Sequence, residues 1–259
     1  MDVSGGDAGM PGSNSPQPRG WRRKLRFDRG PLRWWLVVAG VILVRHDPLH
    51  YCIGSLLVLA GVALHFVSKA CLAQNFQLTV SGPYRFSRNP FYLANLLAEC
   101  GILVIVGSPW LAGIYLVLWA FIYDRTIRSE EATLAELFGE SFSGYCGQVP
   151  RLIPRPWKFL QRTEVSGPRF SLMNPNIFGG AELHRSLRLA SYPLLLLGAG
   201  MLRDGGWVAL SNPTGPEVLA FAGFVLLNTL GLISRRLLSR AASAVVESDE
   251  LPAVPAQAA

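Results

Sequence analysis

Six apolar segments recur along the chain, separated by polar, glycine- and proline-containing stretches. They cover residues 32–44, 49–67, 91–106, 110–123, 189–202 and 218–233. A helix needs about 20 apolar residues to cross ~30 Å of hydrocarbon, so the first, shorter segment predicts a tilted or shallow helix with Trp34 and Trp35 at the interface. Backbone polar groups within lipid must be satisfied internally, which favours helices. The pattern predicts an all-α polytopic membrane bundle, a four-helix core with a C-terminal two-helix extension.

The connections between these segments predict how the helices follow one another. Gly107-Ser108-Pro109 is too short for anything but a tight hairpin between the third and fourth segments. Basic residues gather in the N-terminal arm, in 69–88, in 124–188 and after 233, whereas the alternate loops contain few of them. Under the positive-inside tendency, this predicts six crossings with both termini cytoplasmic.

The composition supports a membrane protein and excludes several other classes. Of 259 residues, 50% are hydrophobic and 16% charged, and the mean hydropathy is +0.30; an ordinary soluble domain has about 25% charged residues. The net charge of +7 comes from residues beside apolar runs, which favours an anionic membrane face over nucleic acid. The four cysteines show no metal-ligand spacing, so we expect no metal site.

Composition also divides the chain into five parts. We expect a disordered tail over 1–18, a membrane core over 19–154 and a cytoplasmic connection over 155–186. A helical hairpin over 187–238 and a disordered tail over 239–259 complete the organisation.

Polar chemistry concentrates at two places beside the apolar segments. Gly82-Pro83 and Asn89-Pro90 predict two turns before the third helix, whose N-terminal amides and Asn89 offer partners to a polar ligand. After the fourth segment, apolar residues recur at helical spacing from Ile127 to Phe138 and predict a continuing helix that bears Glu130 and Glu131. Capping of a helical turn would also account for the two glutamates.

One carboxylate falls inside an apolar segment. Glu99 is about two turns into the third segment, where an ionisable group is costly and indicates function, here as a catalytic carboxylate near an amine acceptor that must lose its proton. A protonated glutamate bonded to a neighbouring helix is the alternative.

Taken in order, these motifs resemble the isoprenylcysteine carboxyl methyltransferase and phospholipid methyltransferase superfamily of integral membrane enzymes. The resemblance covers roughly residues 50 to 154. It is carried by Gly82-Pro83-Tyr84-Arg85, Arg88-Asn89-Pro90-Phe91-Tyr92-Leu93, Glu130-Glu131-x-x-Leu134, Phe138-Gly139, Tyr145 and Val149-Pro150-Arg151-Leu152-Ile153-Pro154.

The resemblance implies methyl transfer from S-adenosylmethionine to a lipid or prenylated acceptor, a carboxylate or an amine, at the cytoplasmic membrane face. It implies that the cofactor contacts Leu78, Tyr84, Asn89, Pro90, Tyr92, Glu130 and Glu131. Arg125 lies near the position of a substrate-contacting arginine of the family.

The chain departs from the family pattern at two positions. Asn89 stands where the family has histidine, and asparagine can hydrogen-bond but cannot act as a general base. Phe142 replaces a tyrosine and removes one hydroxyl.

Two other functions fit parts of the pattern. A steroid-reductase-like enzyme using NADPH shares the Gly-Pro-Tyr region, although the Glu-Glu stretch with its later Phe-Gly and Tyr residues favours methyl transfer. A family member without catalysis, acting as a lipid-binding membrane scaffold, is the second alternative, and the two additional helices would suit it.

Overall fold

The computed structural model of the chain describes residues 30–45, 47–72, 78–155, 181–206 and 215–249. These residues form six α-helices and a short 3-10 helix. Helix α1 spans Gly30–Leu43, α2 Pro48–Cys71, α3 Pro90–Val106, α4 Pro109–Gln148, α5 Ala181–Gly205 and α6 Pro216–Asp249, and the 3-10 helix spans Gly82–Arg85. The described part is thus an all-α bundle, as the apolar pattern predicts.

Three of the described helices are long and apolar enough to cross a membrane. They are Pro48–Cys71, Pro109–Gln148 and Pro216–Leu238, while α1 and α3 are shorter apolar helices. On α2, Leu49, Leu56 and Leu59 are more than half exposed, an outward apolar surface suited to lipid. The count of six crossings stays a prediction.

Local signals begin and end the helices where the sequence places them. The Asp47 carboxylate accepts hydrogen bonds from the backbone amides of Leu49 and His50, at 2.9 and 3.2 Å, and caps α2. Gly107, with a φ of 68°, ends α3, and the Ser108 hydroxyl caps α4. The predicted tight hairpin at Gly107-Ser108-Pro109 is therefore confirmed.

Small residues bring α2 and α3 close together. A Cβ atom added to Gly54 would lie 2.5 Å from the carbonyl oxygen of Gly101, and one added to Gly61 would lie 2.7 Å from that of Ala94. Close backbone approach at small residues is a common way for membrane helices to associate. This packing fixes the start of α3 beside the end of α2, next to the Gly82–Arg85 turn.

Helix α4 changes direction at Gly139. Its φ of 49° and ψ of −122° are non-helical, and the residues beyond it pack back towards the turn that precedes α3. They form a small apolar cluster made of Phe142, Tyr145 and Val149 with Leu78, Val80, Leu134, Phe138 and Cys146. The Phe138-Gly139 motif is thus the bend that lets one helix supply two sides of a site.

The helices run further than the predicted boundaries. Helix α6 continues to Asp249, so residues 239–249 are helical where the sequence predicts a disordered tail. Helix α5 begins at Ala181, inside the predicted connection. The predicted tail over 1–18 and most of that connection lie outside the described residues.

Candidate functional site

The Gly82–Arg85 turn is held by contacts that need its particular residues. Gly82 has a φ of 58°, and a Cβ atom there would lie 2.7 Å from the Cys71 sulfur. Tyr84 is buried, and its backbone carbonyl accepts a 2.6 Å hydrogen bond from the Tyr145 hydroxyl. Burial raises the pKa of the Tyr84 phenol, which is therefore neutral at physiological pH. The turn is thereby attached to the part of α4 beyond the bend.

The start of α3 meets the acidic part of α4 through a tyrosine. Tyr92, in the first turn of α3, is 3% exposed and donates a 2.6 Å hydrogen bond to the Glu130 carboxylate. Asn89 lies at the cap position of the same turn, where its carbonyl accepts from the Tyr92 amide at 3.0 Å. The two stretches that the sequence singles out are therefore in direct contact.

Glu131 is surrounded by donors and cations. Its Oε1 accepts a 3.1 Å hydrogen bond from the Asn89 side-chain amide and lies 3.2 Å from Nε of Arg88. Its Oε2 accepts a 3.1 Å hydrogen bond from Nε of Arg151. The side chain is only 17% exposed. These partners compensate the burial of its charge, so Glu131 joins α4 to the turn before α3.

The segment after α4 adds further contacts between α4 and the turn before α3. The carbonyl of Arg151 accepts a 2.9 Å hydrogen bond from the Asn89 side chain, and its guanidinium forms an ion pair with Asp124 on α4. The Pro150 carbonyl accepts from the Arg88 backbone amide at 2.9 Å. The Pro-Arg part of the last motif thus fastens the chain back onto the Arg88-Asn89 turn.

The two adjacent glutamates therefore differ in their surroundings. Glu131 is partly buried and paired with Arg88 and Arg151, whereas Glu130 is exposed and accepts from Tyr92. An exposed carboxylate beside a phenol can accept hydrogen bonds from ligand hydroxyl or ammonium groups and can attract a positively charged ligand. Of the two carboxylates, Glu130 is thus the one whose position suits contact with a ligand.

Glu99 belongs to a second polar group, about two turns further along α3. It is 1% exposed, and its Oε1 accepts hydrogen bonds of 2.8 and 2.6 Å from Nε and Nη2 of Arg33 on α1. Asn95 accepts from the same guanidinium at 3.3 Å, and the Tyr123 hydroxyl lies 3.5 Å from Glu99. The Tyr123 ring meets the Tyr92 ring edge-on, with centroids 5.5 Å apart. Through Tyr123 and Tyr92, the polar group around Glu99 therefore adjoins the contact between α3 and Glu130.

The remaining residues that the sequence predicts for the site differ in their burial and contacts. Leu78 packs in the apolar cluster beyond the α4 bend, and Pro90 is buried at the start of α3. Arg125 is exposed, and its guanidinium lies 4.3 Å from the ring centroid of Phe121.

Three arginines have contacts at these sites that the sequence did not predict. Arg88 and Arg151 belong to the motifs that carry the resemblance, and Arg33 is one member of a basic cluster beside the first apolar segment. One signal could have found them: Glu99 falls inside an apolar segment and Asp124 directly follows one, and buried acids in such positions need cationic partners.

Comparison with known proteins agrees with the resemblance found in the sequence. A family model described as phospholipid methyltransferase matches residues 36–141. The cobalt-zinc-cadmium resistance protein CzcN of Cupriavidus metallidurans is 32% identical over 115 residues, which are 42% of this chain and 51% of that protein. Protein-S-isoprenylcysteine O-methyltransferase of Rattus norvegicus is 30% identical over 122 residues, 46% of this chain and 42% of that protein. The enzyme of the same name from Schizosaccharomyces pombe is 30% identical over 105 residues, 40% of this chain and 44% of that protein.

The similarity is confined to part of each protein. The chain spans about half the length of these relatives or less. No solved structure matches the chain. The matched region contains α2, α3, the first part of α4 and both glutamates, and it stops before α5 and α6.

Proposed function

We propose that the chain is a member of the isoprenylcysteine carboxyl methyltransferase and phospholipid methyltransferase superfamily, whose phospholipid methyltransferase model matches residues 36–141. We propose further that it transfers a methyl group from S-adenosylmethionine to a lipid or prenylated acceptor at the cytoplasmic membrane face. The observation that carries the proposal is the 2.6 Å hydrogen bond between Tyr92 and Glu130. It brings together the two stretches to which the resemblance assigns the cofactor.

The residues at this contact fit such a cofactor. The exposed Glu130 carboxylate suits hydroxyl and ammonium groups, and its negative charge favours a sulfonium cation nearby. The resemblance assigns Asn89, Pro90 and Tyr92 to one side of the cofactor, and Leu78 and Tyr84 to the stretch before it. The hydrogen bonds from Asn89 to Glu131 and from Tyr92 to Glu130 support this assignment, because they join that side to α4. When bound, S-adenosylmethionine supplies an electrophilic methyl group.

The chain contributes positioning rather than a titrating base at this site. Asn89 cannot take up a proton near neutral pH, so it binds and orients. A carboxylate acceptor needs no base, whereas an amine acceptor needs a carboxylate to take its proton. We assign the acceptor side to Arg125 and Glu99; Glu99 acts there as a positioning residue, because it reaches Tyr92 through Tyr123.

Cofactor binding tests the proposal directly. Calorimetric titration of the detergent-purified chain with S-adenosylhomocysteine should show binding that Glu130→Ala weakens by about a hundredfold, or roughly 2.7 kcal/mol. Glu136→Ala removes an exposed glutamate of the same helix and serves as the matched control, with unchanged affinity. Binding of NADPH in place of S-adenosylhomocysteine would favour the reductase, and equal losses in both variants would reject the assigned role of Glu130.

The acceptor is identified in a second experiment. The chain is incubated with methyl-labelled S-adenosylmethionine and total membrane lipid, and the labelled product is identified by mass spectrometry. We expect label in a lipid or prenylated compound, and its loss in Glu130→Ala. Cofactor binding without transfer to any lipid or prenylcysteine would support the non-catalytic scaffold instead.

A further inference from the structure

Helices α5 and α6 pair in a regular antiparallel register. A Cβ atom on Gly198 would lie 3.0 Å from the Phe221 ring, and the Asn228 side chain donates a 2.9 Å hydrogen bond to the Ser191 hydroxyl. From the first contact to the second, the position moves back by seven residues on α5 and forward by seven residues on α6, which is about two helical turns. One further interval of seven residues leads to His184 on α5 and Arg235 on α6, at the end of the hairpin where α5 begins and close to Leu238, the end of the apolar part of α6.

His184 is buried at this end with a polar atom unpartnered. Its side chain packs against α6 at Gly231, where an added Cβ would lie 2.8 Å from Nδ1 of His184. The residue is 9% exposed, and its Nδ1 has no hydrogen-bond partner among the described residues. A buried ring nitrogen without a partner is uncommon in proteins, and it marks this end of the hairpin as a polar position between the two helices.

Cations surround the histidine. Arg188 lies one turn after His184 on the same face of α5, and Arg235 lies one turn after Gly231 on α6. Neither guanidinium forms a salt bridge with a residue whose side chain the structure describes. His184 precedes the apolar part of α5, and burial, followed by the charges of Arg188, Arg235 and Arg185, lowers its pKa.

An apolar surface adjoins the cations. Leu230, Ile233 and Leu237 on α6 are each about half exposed, on both sides of Arg235 along the helix. Arginine binds phosphate oxygens through several parallel donors, and basic pockets between membrane helices are suited to anionic lipid headgroups. A ligand that fits both features has a phosphate group and hydrocarbon chains.

We propose that His184, Arg188 and Arg235 form a binding site for the phosphate of an anionic phospholipid, with the lipid chains along α6. The site lies outside residues 36–141 and does not depend on the proposed methyl transfer. A soluble phosphate compound has the same headgroup chemistry, but it would make no use of the apolar surface beside Arg235.

The test compares two labelled lipids with the same chains. Fluorescent phosphatidylglycerol and phosphatidylcholine are titrated into the detergent-solubilised full chain, and binding is followed by fluorescence anisotropy. We expect tighter binding of phosphatidylglycerol, weakened about fivefold by Arg235→Gln and about thirtyfold by the Arg188→Gln/Arg235→Gln double variant, as expected for the loss of one and two interfacial cations. Size-exclusion elution and circular dichroism confirm that each variant is folded.

Arg236→Gln is the matched control, because it removes an exposed arginine adjacent to Arg235 on a different side of α6. Its effect should stay below twofold. A loss of phosphatidylglycerol affinity as large as that in Arg235→Gln would show that binding depends only on general surface charge, and it would overturn the proposal. Equal affinity for the two lipids would overturn it as well. Inorganic phosphate or glycerol 3-phosphate that displaces the lipid at comparable concentration would assign the site to a soluble phosphate instead. Since Arg235 is exposed, its single variant keeps the test decisive even if the double variant fails to fold.

Discussion

The ion pair between Arg33 and Glu99 makes a sharp prediction about stability. Two guanidinium nitrogens of Arg33 donate to one oxygen of Glu99, which is 1% exposed, and the arginine side chain is 21% exposed. The pair is a polar link between α1 and α3, and it lies beside the largest apolar cluster of the described residues. We consider Glu99→Leu, Arg33→Met and the double variant.

The two single variants should differ because only one partner can lose its charge. Breaking a buried ion pair by removing one partner costs about 3–5 kcal/mol. In Glu99→Leu, Arg33 cannot deprotonate, so we expect a loss of unfolding free energy of about 3 kcal/mol, at the low end because the partly exposed arginine can reach towards the interface. In Arg33→Met, Glu99 can bind a proton and become neutral. The unfolding free energy should then fall by only about 1–3 kcal/mol, because Glu99 remains an incompletely hydrogen-bonded polar group.

The double variant should be close to the wild type, because replacing a buried pair with apolar residues of similar size is often neutral. The coupling energy of the cycle should then be about 4–6 kcal/mol in magnitude, which is the sum of the two single losses. The assay is reversible unfolding in mixed micelles, followed by tryptophan fluorescence. Arg128→Met is the control, since Arg128 belongs to an exposed pair with Asp124, and its loss should cost less than about 0.5 kcal/mol. Additive single effects, or a Glu99→Leu cost no larger than the control, would refute the reasoning.

Three further changes test the bend and the walls of the site. Gly139→Ala should lower the unfolding free energy by about 1–3 kcal/mol through backbone strain alone, because no atom lies within 4 Å of an added Cβ. Gly144 is helical and equally open, so Gly144→Ala should instead raise the unfolding free energy by about 0.5–1 kcal/mol in the same assay. Tyr145→Phe should cost about 1–2 kcal/mol, since the buried carbonyl of Tyr84 loses its donor; thermal unfolding measures this, and an unchanged midpoint would contradict the role of that hydrogen bond. Asn89→His should change S-adenosylhomocysteine affinity by less than about tenfold in calorimetry, because one ring N–H can keep a contact to Glu131; a hundredfold loss would show that both donations of the asparagine amide are required.

The helices could be predicted from the sequence because apolar periodicity and turn residues are local signals. Gly107-Ser108-Pro109 and the proline at the start of α3 mark helix ends through conformational preferences that act within a few residues. The predicted end of α6 was wrong, since residues 239–249 contain no leucine, isoleucine or phenylalanine of the kind that marks the rest of that helix, only alanines and two valines among polar residues.

The candidate site was only partly predictable. The motif order indicates that Asn89, Tyr92 and the two glutamates act together, and the structure brings them into contact. The resemblance implies that Glu130 accepts hydrogen bonds from the cofactor with Glu131 beside it, but it gives no partner for Glu131, which the fold pairs with arginines while Glu130 stays exposed. Adjacent helical residues point about 100° apart, so their surroundings depend on which elements pack on each side.

Local sequence thus determined that this chain forms apolar helices with polar turns between the second and third, because each such preference is set by neighbouring residues. Tertiary structure decided which charges pair. Arg33 has the sequence features of an interface anchor, yet it lies 66 residues from Glu99 and binds it in the bundle. A partner so distant along the chain leaves no periodic signal, since the choice among several arginines depends on the packing of α1 against α3 and on the need to compensate a buried carboxylate.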